Sequence, residues 1–106
     1  MRAQVSEGLN LMGGAKAGVA DFWADKGVFP DNNASAGVSA GGSITGKYVT
    51  QVLVKTGGVV EATYGNAANA KIAGQLIQIA PTDKGGSIEW TCSSGMADKY
   101  IPQNCR

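Results

Sequence analysis

A single change of hydrophobic period divides this chain and limits what it can become. In "RAQVSEGLNLMGGAKAGVADFWADKG" apolar residues recur at Val5, Leu9, Met12, Ala15 (or Ala17), Val19 and Phe22/Trp23. Steps of three and four mark one stripe of an α-helix, and Lys26 before Gly27 is a C-terminal stop. Gly8, Gly13, Gly14 and Gly18 interrupt the segment. Each costs about 1 kcal/mol of helix relative to Ala. The helix therefore depends on packing its stripe against something else.

Beyond Gly46 the pattern becomes β-branched and alternating. "KYVTQVLVKT" (Lys47–Thr56) reads as a strand, and Gly57-Gly58 as a tight hairpin turn. "VVEATY" (Val59–Tyr64) returns, and "NAANAKIAG" is a loop. "QLIQIAP" (Gln75–Pro81) is a third strand and "TDKGG" a turn. "SIEWTC" (Ser87–Cys92) places Ile88, Trp90 and Cys92 on one face. Four consecutive strands with short turns imply an antiparallel meander, with one face covering the helix stripe. The expected class is α+β, an N-terminal helix on a four-stranded antiparallel sheet, in one domain. Its parts are the helix (1–27), an irregular connection (28–46), the sheet (47–92) and a C-terminal loop (92–105). Trp23 and Trp90 are expected in the core.

A chain of 106 residues holds one modest core. Nine Lys/Arg against eight Asp/Glu give no electrostatic case for nucleic acid or an anionic membrane. No apolar run reaches the roughly 18 residues that span a bilayer, and no signal-peptide pattern is present. Met1 stands directly before Arg2-Ala3-Gln4, which already reads as mid-helix, so a truncation is expected. With no histidine and two cysteines, a four-ligand Cys/His zinc site and a His-based triad are excluded within the chain. No carboxylate pair stands out as an acid/base couple, and no enzyme activity, cofactor or metal is expected.

Two local motifs have bland explanations. In "GGSITGKY" the residues Gly41, Gly46 and Lys47 have phosphate-loop spacing. Tyr48 stands where a Ser/Thr hydroxyl should bind Mg²⁺, and a strand follows instead of a helix. The segment reads as a turn into a strand. Asn33-Ala34-Ser35 matches a glycosylation sequon, a tripeptide common by chance.

Cys92 and Cys105 are more specific. Without CxxC spacing a redox pair is disfavoured, which leaves a disulfide or two independent buried thiols. The intervening "SSGMADKYIPQN" is polar, turn-rich and unable to fold alone, which favours the bridge. Closing about 15 residues contributes roughly 3 kcal/mol, and such bonds persist in oxidising compartments. Tyr100 and Ile101 read as anchors beneath this loop. The sharper alternative is a recognition surface, since a stapled loop loses less entropy on binding. Lys84 and Lys99 would help attract an anionic partner.

"RAQVSEGLNL" opening a helix, "ITGKYV" entering the sheet, "WTCSS" and the closing "DKYIPQNC" together resemble type IV pilins, over the whole chain and in order. The likeness is to the major subunit of Gram-negative bacteria. It implies a helix whose apolar first half anchors in the inner membrane and later packs at the fibre centre. The second half packs on a four-stranded sheet. It also implies a Cys92–Cys105 bridge enclosing an exposed loop: Ser93, Ser94, Gly95, Met96, Ala97, Asp98, Lys99, Tyr100, Ile101, Pro102, Gln103 and Asn104.

The implied function is a structural subunit of an extracellular pilus, used in adhesion, twitching motility and DNA uptake. Implied partners are other subunits in a helical filament, the assembly machinery, and host or abiotic receptors. Before assembly the family holds an inner-membrane-anchored, periplasm-facing pool. The prepilin leader, the N-terminal Phe and the assembly-guiding glutamate are not in this sequence, so the truncated chain is expected to be soluble and monomeric. Competing readings are a minor pilin that binds a receptor or DNA, and a type II secretion pseudopilin. In denaturant without reductant, no thiol of the chain should react with a thiol reagent; two reactive sulfhydryls would remove the bridge.

Overall fold

The computed structural model describes residues 2–105. Met1, on which the truncation reading rests, lies outside the described residues, as do Arg106 and the side chains of Arg2 and Asn104. One helix, α1 (Arg2–Lys26), is followed by β1 (Val49–Lys55), β2 (Val59–Tyr64), β3 (Leu76–Asp83) and β4 (Ile88–Ser94). The strands pair in the order β1-β2-β3-β4, each antiparallel to the next. Gly27 ends α1 with φ 73°, its N–H donating to the Trp23 carbonyl at 2.8 Å. That is a left-handed cap which a Cβ would strain.

The helix lies over β1 and β2. Its buried stripe is Val5, Met12, Ala15 and Val19, facing Val52 and Val54 of β1 and Val60, Ala62 and Tyr64 of β2. Alternation along β2 puts this set on one face and Thr63 on the other. In β1, Val49 and Val52 are an odd number of residues apart, yet both are buried. The register shifts between Val49 and Gln51, so that Thr50 is an extra residue in the ladder. This bulge turns both valines to the core, where regular pairing would send one outward.

Two helix glycines make the contact possible. A Cβ on Gly8 would collide with the Tyr64 phenol, and one on Gly18 would collide with the Ala36 carbonyl. With Gly8 bare, Tyr64 reaches the helix backbone, and its Oη donates to the Val5 carbonyl at 2.6 Å. The glycines that weaken the isolated helix thus allow the sheet and connection to approach it closely.

Both tryptophans differ from expectation. Trp23 is half-buried and stacks on Phe29 with centroids 6.2 Å apart, outside the main core. Trp90 is half-buried, with Lys16 Nζ 5.6 Å from its ring centroid. The cause is helix placement. α1 covers the β1–β2 half of the sheet, and Trp90 on the far strand keeps one open side. Trp90 still packs one side against the core, whereas Trp23 lies beyond it. Conversely, Ile72, in the segment read as a plain loop, is fully buried.

Burial holds the Tyr64 phenol in its neutral form, and the Glu7 carboxylate adds to the same effect, so its pKa is well above a phenol's ordinary value of 10.0. A group with a raised folded pKa contributes stability that is complete below its unfolded pKa and lost as pH rises above it. Stability should therefore fall with pH from about 10 upward, and Tyr64→Phe should flatten that slope in alkaline denaturation curves. The same variant should lose about 1 kcal/mol at neutral pH through the missing hydrogen bond. Gly8→Ala should be more damaging than Gly13→Ala, which meets open space; thermal melts compare the two.

Candidate functional site: a stapled loop and an edge connection

Strand β4 delivers Cys92 to the inner sheet face beside Ile79, its partner across the ladder. The chain leaves the strand, returns through a final 3-10 turn (Gln103–Cys105), and buries Cys105. Cys92 and Cys105 form a disulfide with Cα atoms 4.6 Å apart. The tail is thereby pinned to the end of β4.

The segment expected as loop is two-sided. Ser93 and Ser94 still belong to β4, which runs past the expected end of the sheet at Cys92. Ser94 Oγ donates to the Leu76 carbonyl at 2.6 Å and accepts the Met96 N–H at 3.1 Å, which turns the chain off the strand. Met96 and Ile101 are buried against the core, and Tyr100 is half-buried. A 3-10 turn (Asp98–Tyr100) rests against α1. Lys99 Nζ lies 5.2 Å from the Tyr100 ring centroid. Gly95, Ala97, Asp98, Lys99 and Gln103 face water, and Pro102 is half-buried. The loop is a thin polar shell on apolar anchors.

At the opposite edge, the connection from Val28 to Gly46 runs beside β1. It contains a 3-10 turn (Gly41–Ser43), with Gly41 buried against Leu53. The phosphate-loop-like segment is therefore packed against the sheet and continues into β1, with no helix N-terminus following it. Glu7 of α1 secures the junction, its Oε1 accepting the Tyr48 N–H at 2.8 Å.

Three ion pairs join neighbouring charges among the described residues. Lys55 meets the buried Glu61 at 2.9 Å, Lys84 meets Glu89 at 3.8 Å, and Lys26 meets Asp25 at 3.6 Å. The two exposed pairs contribute little stability, whereas Lys55–Glu61 has its carboxylate buried. A shallow hollow of about 530 Å³ is bordered by Asp31, Lys55, Glu61 and Gln78. Among the described residues, no three His, Cys, Asp or Glu side chains converge as metal ligands. Among them also, no helix is long and apolar enough to cross a membrane.

A helix on a four-stranded meander, closed by a C-terminal bridge, agrees with a match along the sequence. Residues 1–106 fit the family model for pilins, the proteins of bacterial filaments. The chain belongs to the pilin family.

Among known pilins and fimbrial proteins, it is 42% identical to the fimbrial protein EcpC of Eikenella corrodens, across 99% of this chain and 70% of that protein. It is 37% identical to the type IV major pilin protein PilE of Neisseria gonorrhoeae, across 99% of this chain and 75% of that one. A fimbrial protein of Neisseria meningitidis is 38% identical over 86% of the chain, covering 54% of its own length. The pilin family is structural rather than enzymatic.

Sequence reasoning missed Asn33 and Ile72 as structural anchors of this pilin. Ile72 carried a faint signal, the one large aliphatic residue in "NAANAKIAG". For Asn33 the sequence offered only the sequon tripeptide, which says nothing of burial. Replacing both cysteines (Cys92→Ser with Cys105→Ser) should cost about 2–5 kcal/mol in denaturant unfolding. Loss should appear first as raised amide exchange in residues 95–105, because Met96 and Ile101 would lose their tether.

Proposed function

We propose that this pilin is the major structural subunit of a type IV pilus and that its stapled loop is an outward recognition surface. As a pilin it assembles with other pilin subunits into an extracellular filament. The chain's likeness to type IV major pilins over nearly its whole length carries this reading. The mechanism is a division of labour. α1 presents its apolar stripe to the sheet and its opposite side, with Ala3, Ser6, Asn10 and Ala17 exposed, to whatever lies at the fibre axis. The sheet and loop form the outer body.

Pre-organisation supports the loop assignment. Ser93 to Asn104 are tied at both ends and anchored by Met96 and Ile101, so presenting Asp98, Lys99 and Gln103 to a receptor costs little ordering entropy. Adhesion to host or abiotic surfaces, twitching motility and DNA uptake would be properties of the whole filament. The assembly machinery and an inner-membrane pool belong to this proposal too. The near-balanced charge disfavours a minor pilin that captures DNA by itself.

Deleting the gene should remove surface fibres in electron micrographs, and unchanged fibres would defeat the major-subunit assignment. Paired Asp98→Ala and Lys99→Ala changes should leave fibres intact while lowering attachment to host cells. Unaltered attachment would remove the recognition role from the loop.

A further inference from the structure

Strand β1 is an edge strand, and a free edge invites addition of another chain's strand. Two of its outward backbone groups in mid-strand are nevertheless occupied. Asn33 is 8% exposed although it lies in an irregular connection rich in polar residues. Its Nδ2 donates to the Val52 carbonyl at 3.0 Å and to the Ser39 carbonyl at 2.8 Å. Its Oδ1 accepts the Val54 N–H at 2.6 Å. One amide thus bonds the carbonyl of one residue and the N–H of the residue two further along. A residue of a parallel neighbouring strand makes the same two bonds to the strand beside it.

Flanking contacts continue the seal along β1. Asp31 Oδ1 accepts the Gly57 N–H at 3.2 Å just beyond one end of the strand. Gly46 N–H and Asn66 Nδ2 both reach the Val49 carbonyl at 3.0 Å at the other end. Gly41, closely packed on Leu53 and the Val52 carbonyl, covers the middle. The connection is therefore a strap running beside β1, and Asn33 is its one buried polar tie.

We propose that Asn33 is the positioning residue of this edge: its side chain stands in for one residue of a fifth strand. It holds the helix-to-sheet connection in place and closes β1 to strand addition by a second copy. Any subunit contact at this edge is thereby made by the strap and not by β-strand pairing. The assignment also answers the sequon. A glycan on Nδ2 would remove one of the two hydrogens that Val52 and Ser39 use, and would need space in a closed site. Docking of the strap and glycosylation of Asn33 exclude each other, so the folded chain carries no sugar there.

Amide exchange and sedimentation on the 106-residue chain test this. In Asn33→Ala, the Val54 N–H should exchange about tenfold faster or more, relative to β2 amides such as Ala62. The variant should also associate with rising concentration where the parent does not. Asn33→Asp keeps the acceptor for Val54 and loses the donor, so its Val54 protection should fall between parent and alanine variant. It serves as the second reading where the alanine variant folds poorly. Ser35→Ala destroys the sequon without touching the tie and should behave as the parent. Unchanged Val54 protection in both Asn33 variants would overturn the proposal. So would a glycopeptide containing Asn33 recovered from the source bacterium.

Discussion

The fold rests on close approach between a glycine-interrupted helix and the β1–β2 hairpin. A helix with Gly8, Gly13, Gly14 and Gly18 gains little from its own backbone preferences. Burial of Val5, Met12, Ala15 and Val19 against the hairpin valines supplies the missing stabilisation, since each fully buried aliphatic side chain contributes about 1.5–3 kcal/mol. Gly8 and Gly18 are where that contact is tightest. The Tyr64–Val5 hydrogen bond then fixes helix against sheet in a dry environment. Both irregular segments are attached to this pair of layers.

Two irregular segments hang on the scaffold at its opposite edges, and each has one principal tie. The C-terminal loop is held covalently at Cys92–Cys105, with Met96 and Ile101 as apolar feet. The helix-to-sheet connection has no covalent link and is held through the Asn33 amide and the surrounding close packing. The arrangement suits a filament subunit. A rigid two-layer body carries two irregular edges, each with its own tie.

Much of the architecture was legible because its signals are local. The helix stripe, the Gly57-Gly58 turn with both φ values positive, and the alternation in β2 and β4 all follow from period and turn chemistry. The bridge was legible from the polar, turn-rich segment between the only two cysteines. The placement of both tryptophans was not. Composition argues for burying an indole, whereas the helix's position over half the sheet decides which one finds a pocket. The β1 bulge was equally hidden, since an odd spacing of valines does not say which residue leaves the ladder.

By itself, the sequence determined the class of fold, the order of its elements, the pairing of its sulfurs and, through whole-chain similarity, the pilin family. Those properties depend on spacing and on residue type, which need no partner to be read. Only the tertiary structure decided that Gly8 is a seat for Tyr64, that Ile72 is core, and that Asn33 belongs to a sheet edge rather than to a sugar. The Gly8 seat and the Asn33 tie each depend on a group at least 19 residues away. No local pattern records which distant backbone will arrive beside a given side chain.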